Sequence, residues 1–242
     1  MRKQRNLQKA WVLTTRAYRD TSLIVDCFTL NHGRISVVAK GAKQKRSRFR
    51  GLLQAFNCLN ISWLEGNSDL YTLTDVEEIP HSSKFLTGTA LYCGFYLNEL
   101  MTRLLHQHDP HPLLFDVYQD ALGLISDAEK SDLQRILRIF EKRMLQSIGY
   151  GLVLTHEAES GDAVQSDMLY SYIPDVGLVS SNERNLNKSS RCIRGSTLLA
   201  LETEQPMDAE GNVECKNMMR QILRYYLGDK PLKSRELLQN IY

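Results

Sequence analysis

The densest chemistry in the 242-residue chain is the run Lys40-Gly-Ala-Lys-Gln-Lys-Arg-Ser-Arg-Phe-Arg-Gly51, in which six of twelve residues are basic and none is acidic. Lys40, Lys43, Lys45, Arg46, Arg48 and Arg50 together suit a polyanion, because cations that neutralise phosphates release condensed counterions. The run directly follows a β-branched stretch, so its charges are expected on a loop at the rim of a small β module. Arg16, Arg19 and Arg34 extend the same field, as do Arg2, Lys3, Arg5 and Lys9. A basic loop that merely aids solubility is the plainer reading. The one-sidedness of the charge favours nucleic acid. Phe49 inside the loop, and Trp11 and Tyr18 on the first strand, are candidates for base stacking, although Trp11 suits a core as well. The run lacks the G-x-x-x-x-G-K-[ST] spacing of a phosphate-cradling loop, as does the rest of the chain. No Walker-type ATPase is expected. Nor does any helix-turn-helix or finger spacing suggest a sequence-specific reader.

A second signal lies on the helical stretch Leu133–Ile148. At 100° per residue, Arg135, Arg138 and Lys142 share one side, away from the apolar stripe, with Ile139 at that basic edge. Basic residues around an exposed aliphatic suit an acidic peptide that ends in apolar side chains. An ordinary solvated helix face fits the spacing too. His106, His108 and His111 beside Asp109 have metal-ligand character, but no second ligand cluster accompanies them, and imidazoles at a helix end are the favoured reading. Glu157, Glu159 and Asp162 crowd a polar stretch where a nuclease would hold Mg²⁺. No nucleophile elbow, H-E-x-x-H or Cys/His constellation is present. The expectation is a protein without catalytic residues, metal or cofactor.

These residues need elements to position them. Ala10–Thr15, Ser22–Phe28, Arg34–Ala39, Asn57–Leu64 and Leu70–Val76 are short β-branched or alternating runs separated by turn chemistry. Five strands in so short a span suit a small closed barrel, since closure removes exposed edges. An SH3-like barrel or a small open sheet is also compatible. After Pro80 the period turns helical: Phe85–Leu105, Pro112–Ile125, Leu133–Ile148, Ser196–Leu201, Cys215–Leu227 and Leu232–Ile241. Within the polar stretch 155–195, Tyr170–Ile173 and Gly177–Ser180 form a hairpin around Pro174-Asp175. The expected architecture is α+β, with a β module over residues 1–80 and a helical module over 81–242. The boundary is placed near Glu78–Ser83.

Composition narrows the class. Lys and Arg total 30 against 28 Asp and Glu, yet residues 1–50 carry 13 basic and two acidic side chains, a local net of +11, and the remainder carries −9. The longest uncharged stretches hold 14 residues, short of the ~18–20 apolar residues that span a bilayer. The basic N-terminus is not followed by an apolar signal region. Five scattered cysteines with no C-x-x-C pair fit reduced thiols. A cytoplasmic protein without membrane attachment is expected.

Four segments carry a resemblance: Val37-Val-Ala-Lys-Gly-Ala-Lys-Gln-Lys-Arg-Ser47, Tyr96-Leu-Asn-Glu-Leu100, Ile148-Gly-Tyr-Gly151 and Gly228-Asp-Lys-Pro-Leu-Lys-Ser-Arg-Glu-Leu237. In order and spacing the chain resembles the RecO family of bacterial DNA repair and recombination mediators. The resemblance implies an N-terminal OB-fold and a C-terminal helical domain. It also implies binding of single- and double-stranded DNA, annealing of complementary strands without ATP, and work with RecR to load RecA onto DNA coated by single-stranded DNA-binding protein (SSB). It places DNA on the barrel's basic surface and the acidic, apolar-ended SSB tail on the helix holding Leu137-Arg-Ile-Phe-Glu141, with Arg138 foremost and Arg135 second. Such proteins work at the nucleoid. Many members carry four zinc-binding cysteines after the G-Y-G segment. This chain has His156 and Cys192 there and looks like the zinc-free branch. The roles of Lys230, Lys233 and Arg235 stay divided between a second DNA contact and a packed helix start at Pro231. An RNA-binding, translation-associated OB-fold protein and a metal-dependent nuclease are the competing readings.

Overall fold

The computed structural model describes residues 3–80, 85–181 and 192–239, with side chains to Glu236. Arg2, part of the expected boundary near Ser83, part of the 155–195 stretch and the end of the last helix lie outside the described residues. The chain forms two compact units: residues up to Asp127 with the segment from Leu232, and Ala128–Pro231.

The first unit is built on five strands, β1 (Gln4–Tyr18), β2 (Ser22–Thr29), β3 (Gly33–Ala39), β4 (Cys58–Leu64) and β5 (Leu70–Glu78). They close into a barrel in the order β1-β2-β3-β5-β4. β3 and β5 pair in parallel, and β1 pairs antiparallel with both β2 and β4. This is the order of an OB-fold barrel. Val12, Val25, Cys27, Ile35, Val37, Leu59, Ile61, Trp63 and Leu73 fill the interior.

Helices α1 (Gly88–Leu104) and α2 (Pro112–Asp127) belong to the same unit, as does α6 (Lys233–Gln239). Trp11 is fully buried, edge-on to Tyr118 at 5.6 Å and tilted against Phe115 at 6.5 Å. It is core, not a stacking platform. Phe85, counted in the apolar stripe of the sequence, is 89% exposed because α1 begins only at Gly88. The histidine tract is the α1–α2 connection. Gly33, at φ +63°, lies so close to Asp109 that a Cβ there would stand 2.1 Å from the Asp109 carbonyl oxygen. The connection thus runs against β3, and Gln107 bridges to Arg34.

Tyr96-Leu-Asn-Glu-Leu100 joins helices to barrel. Buried Asn98 donates to the Leu13 carbonyl at 2.7 Å and accepts from the Tyr118 hydroxyl. Glu99 accepts from the backbone N–H groups of Lys233 at 3.0 Å and Ser234 at 2.8 Å, and from the Ser234 hydroxyl. A carboxylate so placed satisfies orphan donors of a helix N-terminus and complements its dipole. Lys233-Ser-Arg235 is therefore a packed helix start, and Arg235 reaches the Tyr96 hydroxyl at 3.4 Å.

The second unit holds α3 (Lys130–Ser147), the sheet β7-β6-β8 (Gly177–Ser180, Leu169–Ile173, Ile193–Arg194), α4 (Gly195–Glu202) and α5 (Ala209–Leu227). Strand β8 was not foreseen, since two residues carry no periodic signal. Gly149, at φ +88°, ends α3: its N–H donates to the Gln146 carbonyl, and Tyr150 N–H donates to Leu145 at 2.8 Å. These two bonds form the glycine-terminated cap expected of I-G-Y-G.

Burial pushes the Glu99 carboxyl up, but the hydrogen bonds from Ser234 and Lys233 outweigh it and leave it below its ordinary value. The docking of α6 therefore contributes in full above the ordinary carboxylate range and is lost as pH falls through the lowered value. Glu99→Ala should cost about 1–3 kcal/mol, the range for removing an acceptor from charged hydrogen bonds. Urea unfolding of the variant and amide exchange of α6 between neutral and acid pH check both expectations.

Candidate nucleic-acid interface

The link between β3 and β4 is held by its own apolar residues. Ala42, Phe49 and Leu53 join the barrel core, and Phe56 is buried against Phe95 of α1 at 5.3 Å. Between these anchors the backbone folds into successive turns. Gln44 N–H donates to Gly41, Ser47 to Gln44, Arg50 to Ser47, Leu52 to Phe49 and Asn57 to Gln54. The Asn57 amide adds a bond to the Leu52 carbonyl at 2.8 Å. A loop with this many internal bonds keeps one shape.

Its cations are left outside. Lys40, Lys43, Lys45, Arg46, Arg48 and Arg50 are all exposed, while Ala42 and Phe49 between them are buried. Phe49 is 6% exposed and carries the Arg48 guanidinium over its ring at 4.9 Å, so it anchors the loop and cannot stack on a base. Arg48 also lies 3.5 Å from Asp75 and donates to the Thr74 carbonyl, which fixes it against β5. Arg50 donates to the Lys45 carbonyl at 3.2 Å.

Register decides which other cations join them. Leu23 of β2 pairs with Ala39, the last residue of β3, and Tyr18 pairs with Ser22. The β1–β2 turn thus lies at the loop's end of the barrel, and Lys43 N–H donates to its Thr21 carbonyl at 2.9 Å. Arg16 and Arg19 are exposed there. Arg16 is 3.9 Å from the buried Asp26 carboxylate, and its own side chain stays largely in solvent. Tyr18 is partly exposed with Arg19 over its ring at 5.1 Å.

Arg34 lies near the start of β3, roughly 20 Å along the strand from Lys40. It is half-buried, and its Nε donates to the Leu105 carbonyl at 3.2 Å. Arg5 pairs with Glu65 at 2.7 Å, and Lys9 reaches Gln119 at 3.2 Å. Both are held away from the loop's end.

The basic helix edge differs more from expectation. Arg138 and Lys142 are buried, and Arg135 and Ile139 are half-buried. Arg138 lies 2.6 Å from Glu141, one turn on and fully buried. The Lys142 ammonium donates to the carbonyls of Leu201 at 3.0 Å and Glu202 at 2.8 Å, capping the C-terminus of α4 where a cation complements the dipole. Arg135 donates to the Glu204 carbonyl at 3.3 Å. Arg143, unmarked in the sequence, takes both Glu204 oxygens at 2.9 and 2.6 Å. Those bonds, against the opposing effect of burial, hold the Glu204 carboxyl below its ordinary range. Among the described residues no group of three His, Cys, Asp or Glu side chains could hold a metal ion. His106, His108 and His111 are therefore not gathered as ligands, and neither are Glu157, Glu159 and Asp162.

A closed five-stranded barrel with a turn-locked basic loop at one end defines an OB-fold protein whose cationic face is preformed. Two family models, for the N-terminal and C-terminal parts of recombination protein O, match residues 1–80 and 86–236. The DNA repair protein RecO of Nitrosospira multiformis is 44% identical over 242 residues, covering 98% of this chain and 96% of its own. Those of Methylococcus capsulatus and Coxiella burnetii are 43% and 42% identical, covering 97% and 98% of this chain and 93% and 100% of their own. The chain belongs to the recombination protein O family of DNA repair proteins. Among the described residues no helix is long and apolar enough to cross a membrane.

The division of labour in the loop is testable by stability alone. Phe49→Ala should lower the stability of the protein by about 3–5 kcal/mol, as truncation of a buried phenylalanine does. Lys43→Ala should stay within about 0.5 kcal/mol, as exposed substitutions do. Denaturant unfolding of the two variants separates anchor from cation.

Proposed function

We propose that the protein binds single- and double-stranded DNA on the barrel end formed by Lys40, Lys43, Lys45, Arg46, Arg48 and Arg50 with Arg16, and anneals complementary strands without ATP. With RecR it would help load RecA onto SSB-coated single strands. The observation that carries this reading is the split within one loop: buried apolar anchors fix its shape while six cations stay in solvent. Held on one turn-locked loop, with only Arg48 near a carboxylate, those cations repel one another, and phosphates relieve that repulsion while shedding counterions. Two strands brought to one such surface repel each other less, and base pairing supplies the remaining drive. No bond is broken in that process, so no catalytic group is required.

The acidic, apolar-ended SSB tail would dock along α3, with Ile139 receiving the apolar end and Arg135 and Arg138 the carboxylates. Burial of Arg138 against Glu141 supports a positioned guanidinium, and half-buried Arg135 and Ile139 supply the accessible surface. Lys142 would act only indirectly, by holding α4.

Replacing Lys43, Lys45 and Arg46 together by Ala should weaken binding of an oligo-dT strand. The slope of log K against log salt should become shallower by about 2, near 0.7 per lost phosphate contact. Fluorescence anisotropy across a salt series measures both, and an unchanged slope would remove the loop from the interface. In the same assay Arg135→Ala and Arg138→Ala should each weaken an SSB-tail peptide by about tenfold, with oligo-dT affinity unchanged. Loss of both activities, or of neither, would count against a separate peptide edge.

A further inference from the structure

The second unit contains a cleft of about 340 Å³ that the DNA and SSB-tail assignments leave unused. Its walls come from the turn after α3, the stretch 153–158, the β6–β7 turn and Tyr226 of α5. Tyr150 stacks on Tyr226 with ring centroids 4.2 Å apart and planes within 24° of parallel. Tyr225 meets Tyr226 edge-on at 5.3 Å. Asp175 binds both hydroxyls, Tyr225 donating to one carboxylate oxygen at 2.6 Å and Tyr226 to the other at 3.1 Å. Buried Tyr172 lines the cleft beside Glu157. Tyr150 remains 44% exposed and Val176, on the adjoining turn, 55%.

The backbone is bent to make this arrangement. Asp175 sits at φ +62° in the turn between β6 and β7, which closes through Val176 N–H to the Ile173 carbonyl at 3.1 Å. Few side chains adopt that conformation readily, and aspartate is among them. The two tyrosine hydroxyls then hold the carboxylate against the aromatic stack. Burial, followed by the bond to Asp175 and its charge, pushes the Tyr226 phenol up to about 12. Tyr226 therefore stays a neutral donor to Asp175.

The lining decides the class of ligand. Among the described residues it includes two carboxylates, Glu157 and Asp175, with His156 and no lysine or arginine. A phosphate chain entering there would meet like charge. A guanidinium would meet the opposite: ring faces whose quadrupole attracts cations, and carboxylates that accept its planar fork. Val153 and Val176, both more than half exposed, add apolar surface to the walls for the neighbours of such a side chain.

We propose that this cleft is a docking site for a basic, arginine-bearing peptide segment of a protein partner. The exposed face of Tyr150, backed by Tyr226, and the carboxylates of Glu157 and Asp175 recognise the guanidinium. This is the charge inverse of the acidic tail assigned to α3, so the two sites would not compete for one ligand.

The test uses the full chain and a capped, fluorescein-labelled peptide of alternating Arg and Leu, with a citrulline-for-arginine version as the uncharged isostere. Tyr150→Ala and Asp175→Asn should each weaken the arginine peptide by about tenfold, and the citrulline peptide should bind as weakly to the unaltered protein. Asparagine tolerates the same backbone conformation as Asp175, and Tyr150→Phe, which keeps the ring, should retain binding. Asp116→Asn with Asp120→Asn, exposed acids of α2, should change affinity by less than about twofold. Equal weakening by that control pair would reduce the effect to general acidity and overturn the proposal. Indifference of the arginine peptide to both cleft variants would overturn it as well. If Tyr150→Ala instead weakens oligo-dT and leaves the arginine peptide unaffected, the cleft is a stacking surface for single strands and the proposal falls.

Discussion

A five-stranded barrel has no free edge only if every strand pairs on both sides, and here β1 closes the ring by pairing with both β2 and β4. Its first half lies along β4 and its second half along β2, with a break in register in each ladder. Closure turns five alternating strands into one interior, and it dictates where the connections run. The chain leaving β3 must reach β4 across an end of the barrel. Ala42, Phe49 and Leu53 enter the core at that end, so the crossing segment completes the core while its remaining residues face water. The preformed cationic surface is thus a by-product of closing the barrel. Any change that loosens the apolar anchors would disperse the charges without removing one of them.

The same economy of placement recurs in the helices of the first unit. Asn98 and Glu99, adjacent in sequence, point to different neighbours because successive helical residues are rotated by 100°. One satisfies a barrel carbonyl beside Tyr118, and the other satisfies the first turn of α6, more than a hundred residues away. Two of the segments by which the chain resembles its family are therefore two halves of one contact. Asn98 and Glu99 each have a specific partner, and leaving such a group unpaired would cost about 1–3 kcal/mol.

In the second unit the cations of α3 serve its internal structure first. Lys142 ends α4, Arg143 grips Glu204, and Arg138 lies against buried Glu141. A helical wheel separates apolar from charged faces and cannot tell a charged face in water from one covered by another helix. That is why the spacing marked Arg135, Arg138 and Lys142 as a solvent-facing edge and passed over Arg143. The tyrosine cleft was illegible for a related reason. Tyr150, Asp175 and Tyr226 are far apart in sequence, and each alone looks like an ordinary cap, turn or helix residue.

The sequence by itself determined the α+β class, the presence and order of the five barrel strands and of the helices, though not their ends, and the family. Those follow from local periodicity, turn chemistry and segment order, which a chain carries without being folded. It also marked the basic run between β3 and β4, because six cations without an acid stand out in any conformation. What it did not determine was which cations act together. Arg16 and Arg19 join the loop while Arg34 is drawn away to Leu105, and Phe49, between two arginines, turns inward. Only the tertiary structure decided these, since side-chain exposure depends on what long-range pairing brings alongside, and strand register across the barrel has no signature in the residues nearest in sequence.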